Sequence, residues 1–130
     1  MGLDERRRIK ELQETTLPGR VQEIAEICGV AIPYEVDWTS LENDAAGLNY
    51  LDNVSCHRLN MALRVICQDD LGRGAVAEGL TLVKLKNVSD VESMSIGFSD
   101  GVLEMHCAYA HGASGMFNDS QIREVLMAGL

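Results

Sequence analysis

The stretch EMHCAYAHGASG, residues 104 to 115, gathers two of the chain's three histidines, one of its four cysteines and a glycine-bearing loop. Three kinds of chemistry use residues of these types. Glu104 and His106 sit two residues apart, so on one strand they share a face about 6.8 Å apart at ~3.4 Å per residue. With His111 curling back they would form a three-ligand metal site or the acid–base set of a small hydrolase. Cys107 beside His106 would make a thiolate–imidazole pair, but adjacent strand residues point to opposite faces. Ser114 would be a nucleophile at the centre of GxSxG, yet Met116 stands where the second glycine belongs. The loop also lacks the Lys-Ser/Thr pair or the complete GxGxxG of a phosphate cradle. Glu104, His106 and His111 are therefore the catalytic candidates, weighed against a solvated sheet face that carries the same residues with no chemistry.

Elsewhere, Cys56-His57 is a second tempting pair, but neighbours on a helix point about 100° apart. Asn49, Asn53, His57, Asn60 and Arg64 recur at helical spacing and read as one solvated stripe. Asp52 falls among apolar positions, interrupting with Ser55 the face that Leu48 and Leu59 share. Either the helix breaks near Asp52-Asn53 or a polar patch is buried there; an unpaired carboxylate is costly, so Asp52 is expected to cap a backbone N–H at such a break, and only secondarily to serve as a general base. Cys28, Cys56, Cys67 and Cys107 show no CxxC or zinc-knuckle spacing. Cys56 and Cys67 on one helix would lie about 16 Å apart, too far for a disulfide. Four reduced, buried thiols are expected, with no metal and no cofactor.

The charge balance narrows the partner class. The formal net charge is −9. Residues 1 to 20 carry five Lys/Arg against four Asp/Glu, leaving six against sixteen for residues 21 to 130. Outside Arg6-Arg7-Arg8 no basic cluster exists to neutralise phosphates, which argues against nucleic-acid binding. No apolar run approaches the roughly 18 residues of a membrane span, and MGLDERRRIKEL lacks a signal-peptide core, so a cytoplasmic protein off the membrane is expected.

The elements that must position these residues follow from periodicity and punctuation. Asp4 to Thr16 reads as a sparsely apolar surface helix, with residues 1–17 at the periphery of a single α+β domain over 1–130; the alternative is an arm that orders on a partner or second subunit. Val21, Ile24, Ala25, Ile27 and Cys28 form an apolar stripe ended by Gly29. In IPYEVDW, Tyr34, Val36 and Trp38 alternate with Glu35 and Asp37 as in a strand with one buried face, and Pro33 places it at an edge or at a strand start. Thr39 with Glu42 resembles a capping box opening a helix to about Gln68, followed by a short helix from Asp69-Asp70 to Gly79. TLVKLKNV is a second strand with Val83 and Leu85 inward. Asp100-Gly101 is a favoured two-residue hairpin turn. Counting outward pairs Phe98 with Leu103, Ile96 with Met105 and Met94 with Cys107, all on the core face. Asn118 with Gln121 starts a final helix.

This order predicts a two-layer α+β fold. Three to four mainly antiparallel strands, with residues 81–109 as a meander, would carry helices on one face. Two function classes follow. The favoured one is a non-catalytic acidic protein that docks a basic protein through Glu35, Asp37, Glu42 and Asp44, extended by Asp69 and Asp70. Its likeness to an immunity protein, an antitoxin or a secretion chaperone rests on size and charge alone; a homodimer is compatible with it. The alternative is the small hydrolase or metal-dependent enzyme built on Glu104, His106 and His111.

Overall fold

A computed structural model describes residues 2–130, the side chains of residues 53–55 aside. The chain opens with α1 (Leu3–Glu11), which runs through a π-helical segment, Leu12–Thr16, directly into α2 (Leu17–Cys28). Pro18 lies in the first turn of α2, where a missing N–H costs little, so it does not divide the rod. Leu12, Leu17, Ile24 and Cys28 are its buried positions, and α1 itself buries none. Gly29 closes α2 at φ 78°, a left-handed cap that favours glycine.

β1 (Tyr34–Val36) follows, then a 3-10 turn at Trp38–Leu41. The capping box expected from Thr39 and Glu42 is not used. Asp37 accepts from the Ser40 N–H to cap the turn, and Asp44 accepts from the Gly47 N–H to cap α3 (Ala45–Tyr50). No break occurs near Asp52: α3 continues through a π segment, Leu51–Cys56, into α4 (His57–Ile66). The expectations for Asn53 and Ser55 lie outside the described side chains. Asp69 caps α5 (Asp70–Gly79). Then come β2 (Leu82–Asn87), β3 (Ser95–Ser99), β4 (Val102–Cys107), a 3-10 stretch at Tyr109–Gly115, and α6 (Asp119–Gly129), which opens on the Asn118–Gln121 capping box.

The sheet is four-stranded but mainly parallel, which corrects the antiparallel expectation. Its order is β1-β2-β4-β3, with β1 and β4 both parallel to β2 and only β3–β4 antiparallel. Residues 81–109 therefore form no meander. The hairpin itself stands where the turn chemistry put it: Asp100 and Gly101 take φ 52° and 80°, and Ile96 faces Met105 while Phe98 faces Leu103. The strand begins at Ser95, so the Met94–Cys107 pair is not made. The physical reason for the altered order lies in burial. β4 offers Leu103, Met105 and Cys107, each at most 1% exposed, and takes a central place. β3, with Ser95, Gly97 and Ser99 alternating around half-buried Ile96 and Phe98, is suited to an edge. Helices cover the face carrying Val83, Leu85, Leu103 and Met105, and the opposite face is open.

Candidate functional site

In open parallel sheets, ligands gather beyond the carboxyl ends of the strands. Here those ends are stitched shut by one side chain. The Asn87 amide donates to the Ser40 carbonyl at 3.0 Å and to the Asp44 carboxylate at 2.9 Å, while its oxygen accepts the Tyr109 N–H at 3.2 Å. The loop holding His111 packs over the same end, and His111 Nε2 donates to the Ser89 carbonyl at 3.2 Å.

The opening candidates are thus only partly united. On the outer sheet face the His106 Nε2 donates to Glu104 Oε2 at 2.7 Å, but His111 is engaged elsewhere. Among the described residues no group of three or more His, Cys, Asp or Glu is placed to hold a metal. Because β4 is central, Glu104 lies between Lys84 and Gly97, and His106 between Lys86 and Ser95. The outer face therefore carries a charge row Glu35–Lys84–Glu104 across three strands. An open trough of about 350 Å³ runs along it, bordered by Glu35, Asp37, Lys84, Lys86 and Glu104.

The acidic candidates occupy two kinds of position. Glu35 and Asp37 are exposed and alternate onto the outer face at the β1 edge, and Glu42 is half-exposed beyond the 3-10 turn. No ion pair joins these three among the described residues. Asp37 also accepts the Ser40 N–H at 3.3 Å, and half-buried Asp44 accepts from the Gly47 N–H and the Asn87 amide. Asp69 likewise caps α5, and Asp70 pairs with Arg73. On the helix side of the β1 edge lies a groove of about 210 Å³ lined chiefly by Leu17, Pro18, Val21, Tyr34, Val36 and Trp38.

The buried polar patch expected at Asp52 as the alternative to a helix break is present, as a network that reaches further than Asp52 itself. Asp52, 8% exposed, neither caps a break nor stands alone: Arg20 Nε donates to its Oδ1 at 2.7 Å and Nη2 to its Oδ2 at 3.2 Å. Asn60, expected in solvent, is 1% exposed. It donates to Glu23 Oε1 at 2.6 Å and to the Arg20 carbonyl at 3.2 Å, and accepts from the Tyr34 hydroxyl at 2.9 Å. The Asn60 donor, and then Arg20, hold the Glu23 carboxyl below its ordinary range. Asp52 in turn holds the Arg20 guanidinium more firmly protonated. Burial keeps the Tyr34 phenol well above its usual range, although part of its ring is open. Every member has a partner, so this cluster locks α2, β1 and α4 together behind the groove rather than awaiting a ligand. The i, i+3 spacing of Arg20 and Glu23 was the available local signal, but pairing with Asp52 and Asn60 on a helix distant in sequence leaves no local trace.

All four cysteines are free and buried. Burial raises each thiol, Cys107 to about 11, which removes thiolate character at neutral pH. A second apolar surface lies between α4, α5 and α6, where Val65, Leu71 and Met127 are 41%, 84% and 62% exposed; its charged lining residues, Asp69 and Arg123, balance. No helix among the described residues is long and apolar enough to cross a membrane. Comparison with protein-family models, curated proteins and solved structures found no match.

Proposed function

We propose that this chain is a non-catalytic docking protein that binds a basic protein, with Glu35, Asp37 and Glu42 as its contact carboxylates. The observation that carries the reading is the open outer face beside β1. Parallel strand pairs are usually covered on both faces, yet here one face of β1, β2 and β4 faces outward, with Glu35, Asp37 and Glu104 bordering a shallow trough. Residues 21 to 130, this face included, carry sixteen acidic against six basic residues, so the field of the chain favours approach of a cation-rich surface. Asp44 supports the site by fixing the 3-10 turn and α3 behind these carboxylates. The hydrolase reading asks for His111 beside Glu104 and His106 in a concave pocket, and the contact of His111 with Ser89 speaks against it.

The test is capture from native lysate by the tagged protein at low and high salt, beside a Glu35→Lys/Glu42→Lys variant that leaves both capping aspartates in place. The expected result is a basic partner, identified by mass spectrometry, retained at low salt and lost both in the variant and at high salt. Screening acts on charges beyond about 8 Å at physiological ionic strength. Equal capture by the variant at both salts would overturn the reading.

A further inference from the structure

We propose that β1 receives an extended partner segment of alternating apolar and basic residues as an added strand. The proposal rests on the docking reading above and names its mode. β1 is an edge strand, joined on one side to β2. The Pro33 carbonyl accepts the Val83 N–H at 3.0 Å, and the Asp37 N–H donates to the Leu85 carbonyl at 2.9 Å, so the odd-numbered residues bond inward. Strand alternation then turns the N–H and C=O of Tyr34 and Val36 toward the free edge. Such a row of backbone groups is a template for another strand.

What flanks the edge sets the chemistry of the occupant. On the helix side lies the groove of Leu17, Pro18, Val21 and Trp38, which takes apolar side chains. On the outer side Glu35 and Asp37 border the free edge, with Lys84 and Lys86 one strand further in, so the positions beside the edge take cationic side chains. A strand's side chains alternate between faces with a period of two, so one extended segment of alternating character satisfies both at once. A second copy of this chain does not. Its own β1 would bring Glu35 and Asp37 against their counterparts on the same face, and like charges directly opposite are destabilising.

The test uses two synthetic seven-residue peptides of one composition, Lys-Val-Lys-Val-Lys-Val-Lys and a block version with the four lysines first, titrated into the intact protein by fluorescence anisotropy. Strand addition predicts at least about tenfold tighter binding of the alternating peptide, worth about 1.4 kcal/mol. It also predicts loss of that preference in Glu35→Lys, and in a probe N-methylated at every second residue, which leaves the protein untouched and removes the donors. Equal binding of both peptides, sensitive to Glu35→Lys but not to N-methylation, would overturn strand addition while the docking reading stands. Binding of neither peptide would overturn strand addition, whereas the docking reading fails only in the capture experiment.

Discussion

Replacing Arg20 by alanine removes both hydrogen bonds to Asp52 and leaves that carboxylate, whose side chain is 11% exposed, without its cation. Breaking a fully buried pair from one side costs about 3–5 kcal/mol, because the surviving charge stays desolvated. Here the Arg20 side chain is 20% exposed, so water reaches part of the vacated site and the expected loss is about 2–4 kcal/mol. Glu23 moderates the loss, since it keeps Asn60 at 2.6 Å and Arg64 at 3.7 Å. The double variant Arg20→Met/Asp52→Leu removes both charges and fills the space, and it should cost much less than the sum of the single changes. The coupling expected for such a contacting pair is about 1–3 kcal/mol. Urea denaturation of the wild type, both single variants and the double variant, with comparable slopes, measures it. A loss below about 1 kcal/mol for Arg20→Ala, or additivity of the two single changes, would refute the view that this ion pair fastens the π segment to α2.

Four further outcomes follow from the same structure. Gly101→Val should destabilise the fold by about 2 kcal/mol in the same denaturation assay, since the residue holds φ 80° and a Cβ there would stand 2.8 Å from Thr81 Oγ1. Glu23 has its folded pKa lowered, so its contribution to stability is present above the unfolded value and fades as pH falls through the folded one. The stability difference between wild type and Glu23→Gln should accordingly be largest near pH 7 and shrink below about pH 4.3, read from urea midpoints across pH. Ellman's reagent should label the four thiols only as the protein unfolds, and fast stoichiometric reaction of any one under native conditions would contradict its burial. Leu71→Ser should change stability by no more than about 0.5 kcal/mol, because that side chain is 84% exposed.

Local signals in the sequence proved accurate where the physics is local. Asp100-Gly101 fixes the hairpin, Asn118 with Gln121 caps α6, Asp69 starts α5, and Pro33 marks β1 as an edge. Strand polarity likewise separates His106 from Cys107, which the burial of the thiol bears out. Strand order was not legible. Sequential strands usually neighbour one another, and nothing within residues 88–94 says that the chain steps past the place β4 will fill. That single difference turns a meander into a mainly parallel sheet and moves Glu104 and His106 from an outer strand to the middle. The long helical run toward Gln68 was legible, whereas the π segments at Leu12–Thr16 and Leu51–Cys56, the second of which carries the chain past Asp52 without a break, leave no signature in residue spacing. The acidic candidates were legible as residue types, but which of them also cap depends on the Ser40 contact of Asp37 and the Gly47 and Asn87 contacts of Asp44, one of them 43 residues away in sequence.

The central claim, that a basic partner docks at β1, is tested most directly by amide hydrogen exchange of the protein alone and saturated with the captured partner. Docking at β1 should slow exchange over residues 34 to 38, most at the edge-facing N–H groups of Tyr34 and Val36, with the region around Val65, Leu71 and Met127 unchanged. Protection confined to the α4–α5–α6 surface, with residues 34 to 38 exchanging as in the free protein, would contradict it.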